Sequence, residues 1–97
     1  MQQIELTQLQ DWLAQHKEHY LLLDVREDFE HEHFNIGGIN IPLGELAQNL
    51  DQLPKEQKIV VYCAKGVRSM IAIQRLRDKG YTQLFNVKGG INALQKD

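Results

Sequence analysis

The sequence predicts an α/β fold: a mainly parallel sheet with helices on both of its faces. Strand-like apolar runs alternate with helix-like segments along the whole chain. Two of the runs, Tyr20-Leu21-Leu22-Leu23 and Ile59-Val60-Val61-Tyr62, are continuously apolar, as suits strands covered on both sides. With 97 residues the chain has the size of one small domain, read as a single unit over 1–97.

In chain order, Thr7-Gln8-Leu9-Gln10 reads as a capping box, and Leu9, Trp12 and Leu13 follow at helical spacing. The run from Tyr20 ends at Asp24, and Glu27 to His33 reads as a short polar helix. Ile39-Asn40-Ile41-Pro42 reads as a short strand stopped by proline. Leu43, Leu46, Ala47 and Leu50 share one helical face. After a polar turn over Pro54 to Lys58, the strand from Ile59 runs directly into Cys63. Ala64 to Gly66 form a tight loop, and a helix follows from Val67 to about Lys79, with Gly80 at its C-terminal cap. Leu84-Phe85-Asn86-Val87 is a last short strand, and Gly89-Gly90 leads into a short helix through Ala93 and Leu94.

Composition narrows the function. At 42% apolar and 25% charged residues the chain is globular rather than disordered. A net charge of -2 lacks the basic excess of a nucleic-acid-binding protein. No apolar run is long enough to span a bilayer, and the start Met1-Gln2-Gln3-Ile4-Glu5-Leu6 lacks the features of a signal peptide. A cytoplasmic protein is expected, acting on neither nucleic acid nor membrane. No exposed apolar stripe stands out, so a monomer is expected. The single cysteine can form neither an intramolecular disulfide nor a multi-cysteine zinc site. His16, His19, His31 and His33 form no metal cluster and read as part of a solvated polar face.

In parallel α/β sheets, ligands bind outside the carboxyl ends of the strands. Asp24 and Cys63 both fall there. The segment around the cysteine is Tyr62-Cys63-Ala64-Lys65-Gly66-Val67-Arg68-Ser69: strand, nucleophile, loop, helix. Such a loop can turn several backbone N–H groups onto the sulfur, and the helix start adds partial positive charge. Lys65 and Arg68 add full charges, and all three effects favour thiolate over thiol. The same pocket suits an oxyanion such as thiosulfate, sulfite or phosphate. Gly66 gives the loop backbone angles closed to other residues, and Ser69 can bond the sulfur or the loop. An inert buried cysteine is the bland alternative, but it would need none of these neighbours.

Other charged and aromatic residues read more simply. Asp24, Arg26 and Glu27 are taken to pair with one another or to cap the next helix. Arg75 and Arg77 suit a helix C-terminus, with a basic rim for an acidic carrier protein as the alternative. Trp12 and Tyr62 are taken as packing residues.

At this point the chain resembles the rhodanese family. Cys63, Gly66, Arg68 and Ser69 match its signature loop. Leu23-Asp24-Val25-Arg26-Glu27 and Gly37-Gly38-Ile39-Asn40-Ile41-Pro42 are similar to two further family segments, as are Gly80-Tyr81 and Val87-Lys88-Gly89-Gly90-Ile91. The wording is most similar to rhodanese domains attached to sulfurylases of molybdopterin and thiamine biosynthesis. The resemblance implies a small sheet of about five parallel strands. It also implies a sulfurtransferase whose Cys63 carries a persulfide between a donor such as thiosulfate and a thiol acceptor or sulfur-carrier protein. Ala64, Lys65, Gly66, Val67, Arg68 and Ser69 would bind the donor, Asp24 and Arg26 would be structural residues near the site, and neither metal nor organic cofactor is implied. His33-Phe34-Asn35 replaces the family's usual Gly-His-Ile, Leu94 replaces a tryptophan, and Ala64 stands where thiosulfate enzymes often carry arginine. Four residues separate Cys63 from Arg68, whereas cysteine phosphatases have five in that place. The loop length argues against a phosphatase or arsenate reductase; an intact Cys63, Arg68 and Ser69 argue against a non-catalytic binding or sulfur-sensing module.

Overall fold

The computed structural model describes residues 2–15 and 19–95. Five strands form one sheet: β1 (Gln2–Ile4), β2 (Tyr20–Asp24), β3 (Ile39–Asn40), β4 (Lys58–Tyr62) and β5 (Leu84–Val87). Their order is β1-β5-β4-β2-β3, and every pairing is parallel. Leu23 of β2 lies opposite Val61 of β4 on one side and Ile39 of β3 on the other.

The continuous apolar runs divide between two cores, because successive side chains point to opposite faces. Leu23, Ile59 and Val61 join Ala72, Ile73 and Leu76 of helix α3 (Val67–Asp78) on one face, together with Leu46 and Leu53. Leu22, Val60 and Tyr62 join Leu9 of helix α1 (Leu6–Gln15) on the other, with Trp12 and Leu13 packed against them. Both faces are covered, as expected of parallel strands.

Several elements differ from the sequence reading. β1 was not distinguishable there: Gln2 and Gln3 are exposed, and Ile4 alone reaches the core. Helix α1 starts ahead of Thr7, with the Glu5 carbonyl accepting from the Leu9 N–H at 3.0 Å, so Thr7 lies within the first turn. A reciprocal capping box occurs instead on helix α2 (Asp28–His33), where the Glu27 N–H donates to the Glu30 carboxylate at 3.0 Å. Leu43–Gln48 and Leu50–Gln52 are 3-10 rather than α-helical. Leucines three apart fit both helix types, and Pro42 provides no side-chain cap. Gly80, at φ 95°, ends α3 as expected: its N–H donates to the Arg77 carbonyl, and that of Tyr81 to the Leu76 carbonyl.

The strand order defines the site. From β2 the chain passes to β3 on one side; from β4 it passes through α3 to β5 on the other. Connections that diverge from adjacent parallel strands leave a crevice at their carboxyl ends. Asp24 closes β2 and Cys63 follows β4 at that crevice. Among the described residues, no helix is long and apolar enough to cross a membrane, and no group of three or more His, Cys, Asp or Glu side chains is placed to hold a metal ion. His16 lies outside the described residues. The surface is less uniformly polar than the sequence suggests, since Phe29, Val67, Met70 and Ile71 remain exposed on α2 and the start of α3.

Candidate active site

Cys63 is buried where β4 gives way to the loop before α3. Its Sγ accepts the Gly66 N–H at 3.1 Å and the Ser69 N–H at 3.3 Å. Ser69 is the third residue of α3, and Gly66 supplies no side-chain cap. The sulfur therefore takes the place of a capping oxygen, satisfying a helix N–H that would otherwise have no partner. Gly66 has φ 98°, the left-handed conformation that brings its N–H round to the sulfur.

Two carbonyls of the same loop are bonded elsewhere. Cys63 O accepts from the Ile91 N–H at 3.0 Å and Ala64 O from the Asn92 N–H at 3.1 Å. The segment after β5 thus pins the loop from behind. A second support comes from β5 itself: the Ser69 hydroxyl donates toward Asn86 Oδ1 at 2.5 Å and lies 3.1 Å from the Gly66 carbonyl. The same oxygen stands 3.4 Å from Cys63 Sγ. Asn86 is buried, and the sequence reading did not single it out. A lone polar residue within the apolar strand Leu84-Phe85-Asn86-Val87 was the available signal.

A pocket of about 400 Å³ opens at the sulfur, lined by Glu30, Cys63, Ala64, Lys65, Val67 and Arg68. The structure therefore brings together the loop residues named from sequence, with Gly66 and Ser69 beneath them as donors to Sγ. It adds Glu30, from α2. Arg68 Nη1 and Nη2 donate to Glu30 Oε1 and Oε2 at 2.6 and 2.9 Å. This hydrogen bond holds the Glu30 carboxyl down at about 2 and pushes the Arg68 guanidinium further up. Lys65 is exposed at the rim.

Asp24 and Arg26 lie beside the pocket rather than in its wall. Both are buried, and the Arg26 Nε and Nη2 donate to the Asp24 carboxylate at 2.8 to 3.1 Å. The pairing expected from sequence is present. Burial is the largest single influence and opposes the Arg26 charge, but the Asp24 hydrogen bond together with the surrounding negative charge, chiefly that of Asp24, outweighs it and leaves the pKa raised. Arg26 also donates to the Phe34 carbonyl, tying β2 to the end of α2. His31 corrects the reading of the histidines as a solvated face. It is half-buried, and its Nδ1 stands 2.8 Å from Asp24 Oδ2, while His19 and His33 are exposed. Tyr62 does more than pack: its hydroxyl donates to the Gly37 carbonyl at 2.9 Å, and burial pushes its pKa up to about 12.

Comparison with known proteins agrees with this arrangement. The rhodanese-like domain family matches residues 5–97. The chain is 42% identical over 71 residues to the protein YqhL of Bacillus subtilis, covering 71% of this chain and 56% of that one. It is 38% identical over 96 residues to maize MOCS3-1, an adenylyltransferase and sulfurtransferase, covering 88% of this chain but 20% of that protein. A sulfurtransferase of Allochromatium vinosum is 32% identical over 77 residues, 78% of this chain and 72% of the relative. The chain thus spans about half or less of the length of the first two relatives. The crystal structure of a rhodanese-like domain protein from Staphylococcus aureus superposes with a TM-score of 0.88 at 28% identity, over 100% of this chain and 94% of that one. A family pattern running through almost all of the sequence, and a sheet, loop and helix arranged as in a solved member, lead to one conclusion: this chain belongs to the rhodanese family.

Proposed function

We propose that the protein transfers sulfane sulfur, with Cys63 as the nucleophile that carries it. The observation that carries this reading is the sulfur itself: a single cysteine at a strand end, at the floor of a pocket, accepting two backbone N–H groups. The sulfurtransferases among its relatives support the same reaction class.

The reaction divides into two displacements. The Cys63 thiolate attacks the outer sulfur of a donor such as thiosulfate. A Cys63 S–S bond forms, the donor's S–S bond breaks, and sulfite leaves with the bonding pair. An acceptor thiolate or cyanide then attacks the terminal sulfur and Cys63 departs as thiolate. The Gly66 and Ser69 N–H groups are placed to stabilise negative charge on sulfur at both ends of the cycle. A thiol acceptor, free or borne by a sulfur-carrier protein, completes the turnover.

The test is intact mass after incubation with thiosulfate, and separately with a small persulfide. A gain of one sulfur atom, lost on reduction and absent in Cys63→Ser, is the expected result. No gain from either donor would overturn the reading and favour a binding module.

Ser69 offers a smaller effect. Ser69→Ala removes the hydroxyl near Sγ and leaves Asn86 Oδ1 buried without that donor. Sulfur transfer is expected to fall about tenfold, and stability by about 1–3 kcal/mol. Steady-state rates and urea denaturation on the same preparations would check both.

A further inference from the structure

The one arginine in the pocket wall is already engaged. Both Arg68 terminal nitrogens point at the Glu30 carboxylate, at 2.6 and 2.9 Å, in the forked geometry that arginine would otherwise offer to an oxyanion. Glu30 is no distant surface charge, because it forms part of the same pocket wall as Cys63, Lys65 and Arg68. With Cys63 as thiolate, the lining side chains carry two negative and two positive charges, leaving no surplus for an incoming dianion. Held at about 2, the Glu30 carboxyl stays ionised at any ordinary assay pH, so mild acid does not free Arg68. The rest of the wall, Ala64 and the exposed Val67, is apolar and suits a carbon chain better than a sulfonate.

We propose that Glu30 is a specificity-determining residue: by occupying Arg68 it sets the pocket against doubly charged oxyanion donors and in favour of sulfur presented as a persulfide. This rests on the reading of Cys63 as the sulfur-accepting nucleophile. With a persulfide, the Cys63 thiolate attacks the terminal sulfur of R–S–SH. The new bond gives Cys63–S–SH, the donor's S–S bond breaks, and RS⁻ leaves with the bonding pair. No sulfonate has to be seated, so Arg68 can remain with Glu30.

Glu30→Gln is the informative variant. Glutamine keeps the size of the side chain and can still serve the capping box by accepting from the Glu27 N–H. It removes the charge and loosens the hold on Arg68. The measurement is the rate at which Cys63 gains one sulfur, followed by intact mass, with thiosulfate and with cysteine persulfide as donors. The ratio of the two rate constants cancels any difference in the fraction of folded protein. In Glu30→Gln the thiosulfate-to-persulfide ratio is expected to rise at least about tenfold, through tighter thiosulfate binding rather than a higher maximal rate. Normal loading with an unchanged or lower ratio would overturn the assignment of Glu30 alone. Failure of both donors to load either protein would instead overturn the reading of Cys63, and this inference with it.

Discussion

Cys63→Ser should leave the protein folded and reduce sulfur transfer at least about a thousandfold, to the level of the uncatalysed reaction. Serine is the right replacement because of what surrounds the sulfur. The Gly66 and Ser69 N–H groups both end on Sγ, and Ser69 is a helix residue whose N–H has no carbonyl partner within α3. Alanine would leave both donors buried without an acceptor, at about 1–3 kcal/mol each, and would confuse lost chemistry with lost structure. A serine oxygen keeps an acceptor in place. It is nevertheless a poor nucleophile, since among the described residues no histidine or lysine bonds Cys63 to take a proton from a hydroxyl in its place. Circular dichroism would show a native-like variant, and sulfur transfer from cysteine persulfide to cyanide, read as thiocyanate and corrected for the uncatalysed rate, would show the loss. Turnover within tenfold of the unmodified protein would mean that Cys63 does not carry the sulfur.

What the sequence displayed and what it concealed divide along a physical line. β2 and β4 were legible because a strand buried on both faces must be apolar at consecutive positions, and Leu21-Leu22-Leu23 and Ile59-Val60-Val61 are. The loop from Cys63 to Ser69 was legible because nucleophile, glycine, arginine and hydroxyl act within one short segment. β1 was not, since an edge strand with a single core residue has no period to detect. The partners of the site were hidden for another reason. Glu30 meets Arg68 across 38 positions, and Asn86 meets Ser69 across 17. Nothing in the local sequence of α2 or β5 announces such a contact; it exists only once α2 and β5 are brought up against α3. His31 shows the same limit at shorter range. Spacing alone could not tell that one histidine of α2 turns toward the buried Asp24 while the other faces solvent.

Gly90→Ala should be severely damaging although Gly90 lies outside the pocket wall. Gly90 is buried at φ 75°, where an L side chain is already strained by about 1–2 kcal/mol. Space is the larger obstacle. A Cβ there would lie 2.2 Å from Ala64 O, 2.4 Å from Ala64 C and 2.5 Å from Lys65 N. These are backbone atoms of the Cys63 loop, so no side-chain rotation relieves the clash. Either the segment after β5 moves away or the loop does. Both paths break the Ile91 N–H to Cys63 O and Asn92 N–H to Ala64 O bonds, which hold two of the loop carbonyls in place. Once those carbonyls are free to swing, the Gly66 N–H loses its aim at Sγ. The variant should lose about 3–5 kcal/mol of stability, and any folded fraction should load sulfur on Cys63 more slowly by at least about a hundredfold, as when donors to a developing charge are displaced. Neighbouring Gly89, at φ 76°, provides the control, because a Cβ there meets nothing within 4 Å. Gly89→Ala should lose only the conformational part, about 1–2 kcal/mol, and load sulfur within a few-fold of the unmodified rate. Equal loading rates in the two variants, measured per folded molecule, would show that the backing of the loop by Gly90 has no part in placing the sulfur.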